Sequence, residues 1–143
     1  SRSVMMGYYK NPEETAKAFT EDGWLRTGDL GYKNESGYLF LTGRKKNLII
    51  LSNGENVSPE ELENQFSGSP RIKEIIVYAK NDRITAEIYP DPEYKANDIK
   101  SDIRAEVDKV NDSFPPSKRI VSIVFRDKEF EKTASRKIIR PSF

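Results

Sequence analysis

Three short segments hold the charged side chains with which this chain could do chemistry. They are Gly23–Gly31, Gly43–Ile49 and Thr133–Arg140. In the first segment Asp29 has glycine neighbours that let a ligand approach the backbone closely. Its carboxylate could accept two hydrogen bonds from a vicinal diol. Taken by itself, the same pattern also describes a turn aspartate that caps its own backbone.

The absence of two residue types limits the kinds of catalytic and metal site that the chain could form. The 143 residues include no histidine and no cysteine, which excludes Ser-His-Asp relays, thiolate nucleophiles, disulfide frameworks and nearly all zinc sites with nitrogen or sulfur ligands. Lysine, arginine, carboxylate and backbone groups remain. With 24 Lys and Arg against 23 Asp and Glu the net charge is +1, so the charge balance does not indicate a nucleic-acid partner and any anion must be bound locally.

The other two segments are basic. Arg44 follows a glycine at the predicted end of a strand, which by itself describes a surface arginine in a salt bridge. Lys45 and Lys46 come next and by themselves describe a solvated face. Lys137 lies where basic residues are interleaved with acidic ones, a pattern typical of a solvated tail.

Three helices are predicted. Asn11-Pro12-Glu13-Glu14 has Asn as the cap, Pro at the first helical position and Glu reaching back, and it leads into a helix through Phe19. Ser58-Pro59-Glu60-Glu61 is a second capping box and opens a helix to about Phe66. Apolar residues at spacings of four, four, three and four predict an amphipathic helix, and they are Ile99, Ile103, Val107, Val110 and Phe114.

Strands are predicted on both sides of the basic segment Arg44–Lys46. Before it, Trp24–Tyr32 and Tyr38–Thr42 form a small antiparallel unit across a turn. After it, Leu48–Leu51 is predicted to be a buried strand that leads into the turn-rich loop Ser52–Asn56. The sharpest candidate domain boundary therefore falls at the basic segment. The apolar run 48–51 is far shorter than the ~20 residues that span a bilayer.

A hairpin and a final strand complete the pattern. The hairpin turns around Lys80-Asn81-Asp82-Arg83, and the alternation at Ile84, Ala86 and Ile88 predicts one face in the core and the other in water. A last strand is predicted over Ile120–Phe125. The remainder, Arg126–Phe143, is predicted to be a polar tail.

In order and spacing the three charged segments resemble the carboxyl-terminal part of AMP-forming acyl-CoA synthetases, members of the adenylate-forming superfamily. The likeness covers nearly all 143 residues. It implies an α+β fold in which a small antiparallel β unit is followed by a small domain with a mixed sheet flanked by helices. Residues 1–43 would be the end of a large N-terminal adenylation domain, 44–46 a hinge and 47–143 a mobile C-terminal domain.

The resemblance also assigns roles to particular residues. It implies that Asp29 holds the ribose hydroxyls of ATP, that Arg44 lies near the ribose and phosphates, and that Lys46 is the hinge residue. By the same analogy the loop residues Ser52, Asn53 and Gly54 border coenzyme A. The segment Ser52–Glu63 is similar to the version found in long-chain fatty-acyl-CoA synthetases.

Lys137 matches the lysine whose ammonium, in this family, reaches both the carboxylate substrate and the α-phosphate during adenylation. Attack of one anion on another is repulsive, so a positive charge at this point would favour the reaction. Two positions depart from the family pattern. Arg136 stands where the usual residue is glycine, which raises the question of the backbone path, and Asn47 stands where many relatives carry Asp.

The resemblance therefore predicts a C-terminal fragment of an ATP-dependent, AMP-forming ligase that activates a fatty acid, of long chain, and transfers it to coenzyme A. Mg²⁺ would be needed, with its ligand upstream of the fragment and no metal ligand within it. The expected partners are these small molecules and the missing N-terminal domain, with no nucleic acid, in the cytoplasm, and peripheral membrane contact is left open. The fragment alone should be inactive.

Two alternatives remain open at this point. One is a non-catalytic α+β binding module whose basic tail docks an anionic partner such as a carrier protein, a membrane surface or RNA. The other, within the enzyme class, is a fatty-acyl-AMP ligase that serves a carrier protein, or a ligase for aryl or short-chain acids.

Overall fold

A computed structural model describes residues 3–140, and these residues divide into two compact units, the first ending at Lys46 and the second beginning at Asn47. The first unit contains helix α1 (Pro12–Ala18) and strands β1 (Asp29–Lys33) and β2 (Leu39–Arg44). The second contains β3 (Ile49–Ile50), β4 (Asn56–Val57), α2 (Pro59–Glu63), β5 (Ile72–Lys80), β6 (Arg83–Pro90), α3 (Ile99–Asn111) and β7 (Ser122–Phe125). The predicted α+β fold is confirmed.

Helix α1 begins where the sequence predicts, but only half of its capping box forms. The side chain of Asn11 accepts a hydrogen bond from the amide of Glu14 at 3.1 Å, and Pro12 occupies the first turn. The carboxylate of Glu14 does not reach back, because it pairs with Lys17 at 2.8 Å. The amide of Asn11 instead donates to the carbonyl of Tyr8.

Strands β1 and β2 pair antiparallel, with Asp29 opposite Arg44. The prediction of a strand from Trp24 is wrong, since β1 begins at Asp29 and Gly28 has a φ of +75°. A register shift lies between Leu30 and Gly31. A Cβ atom at Gly31 would lie 2.5 Å from the carbonyl oxygen of Phe40, so glycine is required for the strands to approach this closely.

The first unit exposes much of its apolar surface. Between residues 3 and 46 no residue is buried. Trp24 is 72 % exposed and Leu39 70 %. Other exposed large apolar residues here are Met6, Tyr8, Tyr9, Tyr32, Tyr38, Phe40 and Leu41. Single exposed apolar residues are common on protein surfaces, but so many in a unit without a buried residue favour packing against further protein.

The second unit is built on a mixed three-stranded sheet in the order β5-β6-β7. Strands β5 and β6 are antiparallel, and β6 and β7 are parallel. Helix α3 lies between β6 and β7 in the chain, as a parallel connection requires. Its residues Ile103 and Val107 are fully buried in the core, and Phe114, just beyond its end, packs against that core. The helical spacing seen in the sequence is thereby confirmed.

The β5–β6 hairpin turns at Asn81 and Asp82, which both have positive φ, 50° and 58°. Two such residues match the right-handed twist of the flanking strands. The prediction that the second face of this hairpin is in water is wrong, since Thr85 is 1 % exposed.

The segment after β7 covers that second face. Phe130 is 5 % exposed and packs with Ile76 and Tyr78 of β5. Tyr89 and Ile138 pack against the same cluster. Residues 126–140 are therefore not a solvated polar tail. The last three residues of the predicted tail, 141–143, lie outside the described residues.

The segment after the unit boundary differs from its prediction in three ways. The predicted strand 48–51 is reduced to β3, which pairs with β4, a strand that the sequence did not indicate. Ile50 is 72 % exposed, so only one face of β3 is buried. The second capping box does not form, because the Ser58 side chain makes no capping bond and its hydroxyl donates to Glu60. Helix α2 continues into a 3₁₀ turn over Asn64–Phe66.

Residues 3–140 include no helix with the length and apolar character needed to cross a bilayer.

Candidate functional site

Asp29 and Arg44 form an ion pair across β1 and β2. The Nε atom of Arg44 lies 2.9 Å from Oδ1 of Asp29, and Nη1 of Arg44 donates to the carbonyl of Thr27 at 3.2 Å. The Asp29 side chain is 30 % exposed and that of Arg44 48 %. The salt-bridge alternative for Arg44 is thus observed. An ion pair this exposed contributes at most about 1 kcal/mol to stability, so both groups could turn to a ligand at small cost.

An open concavity of about 540 Å³ lies beside this pair. It is lined by Thr27, Gly28, Arg44, Lys45 and Lys46, and we refer to it as the cationic concavity. The amide of Lys45 donates to the carbonyl of Gly28 at 2.8 Å, which holds the basic segment against the β1 end. Three positive side chains and a volume in the range of small-molecule sites, roughly 300–1,000 Å³, suit an anionic ligand such as a phosphate ester.

The loop that carries Ser52 is held by an aspartate of the hairpin turn. The amide of Ser52 donates to Oδ1 of Asp82 at 2.8 Å, and its hydroxyl donates to the other carboxylate oxygen. These two bonds hold the pKa of Asp82 below its usual value. Asp82 was missed by sequence reasoning, which treated it as a turn residue. No local signal could have revealed a partner 30 residues away.

Asn53 and Gly54 shape the rest of this loop. The side chain of Asn53 accepts from the amide of Glu55 at 3.0 Å. Gly54 has a φ of +82°, and a Cβ atom there would meet nothing within 4 Å. Glycine is therefore favoured by backbone conformation and not by crowding within the chain. A smaller concavity of about 210 Å³ adjoins the loop, and its lining includes Asn53, Asp82, Arg83 and Arg119.

Lys137 lies on a tight turn over residues 133–138, which we call the lysine turn. The amide of Thr133 donates to the carbonyl of Lys137 at 2.9 Å, and Lys132 pairs with Ile138 at the base of the turn. Arg136 has a φ of +62°. The position where the family usually has glycine thus adopts a left-handed backbone, which costs a non-glycine residue roughly 1–2 kcal/mol. The Lys137 side chain is exposed.

Two acidic residues hold the segments on either side of the lysine turn, and neither was identified from the sequence. Glu74 of β5 accepts from the amide of Phe130 at 2.8 Å and pairs with Lys132. Glu63 of α2 pairs with Arg140, with Oε2 and Nη2 2.6 Å apart. Burial raises the pKa of Glu63, although the guanidinium of Arg140 acts in the opposite direction.

No three Asp or Glu side chains converge within residues 3–140 in a way that could hold a metal ion. The described residues therefore include no cluster that could hold Mg²⁺ by protein side chains alone. The residues that line the cationic concavity include Arg44, Lys45 and Lys46, whose positive charges favour an anion over a metal ion.

Residues 46–143 match the sequence profile of the AMP-binding enzyme C-terminal domain. The chain belongs to this family. The predicted recognition of the C-terminal portion of an AMP-forming acyl-CoA synthetase is confirmed, and the part of the chain that matches begins at the boundary between the two units.

Individual relatives of this AMP-binding domain differ in what they act on. A sulfoacetate–CoA ligase of Cupriavidus necator is 53% identical over 72 residues, which is 50% of this chain and 14% of that protein. Long-chain-fatty-acid–CoA ligase 4 of Saccharomyces cerevisiae is 47% identical over 77 residues, 54% of this chain and 11% of that protein. The chain thus spans a small part of the length of the curated relatives it matches.

A solved structure of the same type covers nearly the whole chain. The adenylation domain of a carboxylic acid reductase from Segniliparus rugosus, in complex with AMP and a co-purified carboxylic acid, has a TM-score of 0.84 and 26% identity. It covers 99% of this chain, which corresponds to 24% of that structure.

The structure brings together some of the predicted site residues. In the first unit Asp29, Arg44 and Lys46 gather at or beside the cationic concavity. In the second unit the loop Ser52–Gly54 is held by the β5–β6 turn, whereas the segments flanking the lysine turn are held by β5 and α2. Their assigned roles remain predictions.

Proposed function

We propose that this chain is the C-terminal part of an ATP-dependent, AMP-forming acyl-CoA ligase. The carboxylate of the substrate attacks the α-phosphorus of ATP, the bond to pyrophosphate breaks, and an acyl-adenylate results. The thiol sulfur of coenzyme A then attacks the acyl carbonyl, AMP leaves, and the thiol proton goes to solvent. The match of residues 46–143 to the AMP-binding enzyme C-terminal domain carries this proposal.

Lys137 is the proposed catalytic residue of the first step. Its ammonium lies between the carboxylate and the α-phosphate and offsets the charge that grows on the phosphate oxygens. At ~4 Å and an effective dielectric near 20, one positive charge supplies about 4 kcal/mol. The exposed position of Lys137 on a turn supports this role, because a lysine there can enter and leave a site with its domain.

Asp29 and Arg44 are the proposed nucleotide contacts. Asp29 accepts hydrogen bonds from the ribose hydroxyls, and Arg44, with the cationic concavity, attracts the phosphates. The charge and size of that concavity support the assignment. Mg²⁺, when bound by residues outside 3–140, would neutralise further phosphate charge.

Lys46 is the proposed pivot between the two half-reactions, and Ser52, Asn53 and Gly54 are proposed to border coenzyme A in the second. Lys46 is the last residue of the first unit and is exposed. A solvated side chain at a unit boundary can remain in water in either orientation, while a few backbone angles absorb the rotation.

The fragment is proposed to belong to a much longer enzyme. Two observations support this: the chain matches 11–16% of the length of its curated relatives, and the first unit exposes Trp24, Leu39 and their apolar neighbours. The same surface makes an independent binding module less favourable. The packing of Phe130 also disfavours a binding module. Such a module would dock its partner through the basic segment, but in this structure Phe130 packs that segment on the sheet of the second unit.

A long-chain fatty acid is the proposed substrate. The likeness of Ser52–Glu63 to long-chain synthetases and the yeast relative support it, whereas the sulfoacetate–CoA ligase favours a smaller acid. A carrier protein in place of coenzyme A is the second candidate acceptor. A panel of carboxylic acids with the full-length protein separates these options if pyrophosphate release and thioester formation are scored independently.

The catalytic assignment is tested by Lys137→Ala in the full-length protein. We expect the rate of ATP-pyrophosphate exchange to fall roughly 10²–10³-fold, as for loss of one preorganised donor. Thioester formation from supplied acyl-adenylate should be retained. Lys128→Ala, another exposed lysine of the same segment, is the control and should change neither rate. Equal loss of both half-reactions in Lys137→Ala would remove Lys137 from this role.

A further inference from the structure

The lysine turn is held to the second unit by contacts at both of its ends. Before the turn, Phe130 is buried against β5 and Glu74 binds both the Phe130 amide and Lys132. After the turn, Ile138 packs against the same apolar cluster, and the amide of Ile139 donates to the carbonyl of Glu131 at 2.8 Å. Arg140, three residues beyond Lys137, makes the last contact that holds this second end.

Arg140 makes a multidentate contact with α2 and β5. Its Nη2 atom lies 2.6 Å from Oε2 of Glu63, and its Nη1 atom donates to the carbonyl of Val77 at 3.3 Å. The other oxygen of Glu63 accepts from the amide of Val77 at 2.6 Å. Arg140 and Glu63 thus satisfy both backbone groups of one residue on β5, an edge strand of the sheet.

Glu60 extends this contact toward the unit boundary. Its Oε1 atom lies 3.6 Å from Nη2 of Arg140 and also accepts from the side chain of Asn47. Its Oε2 atom accepts from the hydroxyl of Ser58. The guanidinium of Arg140 therefore lies beside two carboxylates, those of Glu60 and Glu63, and other hydrogen bonds fix the position of each carboxylate. The planar guanidinium suits this arrangement better than an ammonium would.

We propose that Arg140, held by Glu63, is a positioning residue for the adenylation step: it fixes the end of the lysine turn and thereby the place of Lys137. This inference rests on the proposed function. Arg140 does not itself touch the reacting atoms. Its effect passes through the backbone of residues 137–140, and a displacement of about 1 Å at a reacting group can cost roughly 10²-fold in rate.

The experiment compares two ion pairs of the full-length protein. Arg140→Ala removes the ion pair with Glu63 of α2, and Arg126→Ala removes an ion pair with Glu87 of β6, which joins the same segment to the second unit before the lysine turn. The two pairs have similar lengths, 2.6 and 2.7 Å, and similar side-chain exposures, 28%/15% and 30%/14%. Arg126 also lies over the ring of Phe130, with its Cζ atom 4.2 Å from the ring centroid, and donates to the carbonyl of Lys128. Arg126→Ala therefore controls for general loosening of the segment, whereas only Arg140→Ala removes a contact at the end of the turn.

For Arg140→Ala we expect kcat of ATP-pyrophosphate exchange to fall by roughly 10²-fold, with little change in KM for ATP. Thioester formation from supplied acyl-adenylate should be retained within about threefold. Arg140→Lys keeps one charge but cannot bind Glu63 and the Val77 carbonyl together, so a loss of roughly 10-fold is expected. Arg126→Ala should retain exchange activity within about threefold.

Hydrogen exchange gives a readout that does not depend on activity. The amides of Lys137 and Ile139 should exchange at least about 10-fold faster in Arg140→Ala than in the wild type, and those of the α3 core should not. Unchanged exchange at these two amides, equal loss of both half-reactions, or the same loss in Arg126→Ala would overturn the positioning role. If the wild-type protein adenylates no acid, the proposed function fails, and the amide exchange rates alone then decide whether Arg140 holds the turn.

Discussion

Asp82 shows how a single side chain can fix a loop that is remote in sequence. Its carboxylate binds both the amide and the hydroxyl of Ser52, and its backbone occupies the second position of a two-residue turn with positive φ. Asn and Asp are favoured at such positions. The short hairpin therefore does two things at once, because it reverses the chain and presents a carboxylate to the proposed coenzyme A loop.

We expect the Asp82–Ser52 contact to make the free energy of unfolding depend on pH. The hydrogen bonds lower the pKa of Asp82 in the folded state, so their stabilisation is present above the ordinary Asp pKa of about 3.9 and is lost as the pH falls through the lowered value. In Asp82→Asn this part of the decrease in the free energy of unfolding with falling pH, the acid slope, should disappear. Urea unfolding between about pH 5 and pH 2.5 measures it.

Asparagine keeps the turn conformation, so Asp82→Asn changes the charge and leaves the hairpin in place. Ser52→Ala is the matched variant from the other side of the contact. It removes the hydroxyl donor and should reduce the same slope in part, since the amide of residue 52 still donates. Identical acid slopes in the wild type and Asp82→Asn would show that this contact does not form in solution.

At the scale of elements, the segment after β7 is what distinguishes the observed fold from the predicted one. Residues 126–140 contain no helix and no strand of a sheet, yet Phe130 and Ile138 complete an apolar cluster on β5. This cluster covers one face of the sheet, and α3 packs in the core on the other face. The lysine turn has backbone hydrogen bonds of its own, from Thr133 to Lys137 and from Ile139 to Glu131, and the buried side chain of Phe130 attaches the segment to β5.

We expect Phe130→Ala to lower the free energy of unfolding by about 3 kcal/mol, the lower end of the range for buried aromatic residues, because the cluster is small. It should also accelerate proteolysis after Lys132 and Arg136. Ile139→Ala is the control: Ile139 is 48 % exposed, so its truncation should cost less than about 0.5 kcal/mol. Chemical denaturation of both variants measures the two losses in the free energy of unfolding. A Phe130→Ala loss as small as the control would mean that the segment is detached in solution.

At the scale of the whole molecule, the division at Lys46 is the feature on which the proposed two-step cycle depends. The two units are separately compact, and the family match starts at residue 46. The proposed cycle requires the second unit to present the lysine turn in one half-reaction and the Ser52–Gly54 loop in the other. Both must therefore be held firmly within the second unit while the backbone near Lys46 rotates.

Lys46→Pro tests the pivot in the full-length protein. Proline fixes φ near −65° and restricts the residue before it, so rotation at this position should be blocked. We expect ATP-pyrophosphate exchange to persist while acyl-CoA production falls at least about 10²-fold. Lys46→Arg, which keeps the charge and the freedom of φ, is the control and should retain both. If Lys46→Pro also retained both, the pivot would lie at another residue.

The sequence by itself determined the features that depend on near neighbours. The spacing of apolar residues from Ile99 to Phe114 predicted α3, the Asn81-Asp82 turn predicted the β5–β6 hairpin, and the order of the charged segments predicted the family. Such features are readable because helix faces, turns and strand alternation arise from residues within a few positions of one another.

Only the tertiary structure decided how the candidate site is held. Glu63 and Arg140 are 77 residues apart, and Ser52 and Asp82 are 30 apart, so no local pattern marks either pair. Phe130 lies among charged neighbours in the sequence, and it is a core residue because it packs on the apolar side chains of Ile76 and Tyr78 of β5. Contacts of this kind depend on which surfaces the fold brings together, and the periodicity of one segment carries no information about its partner.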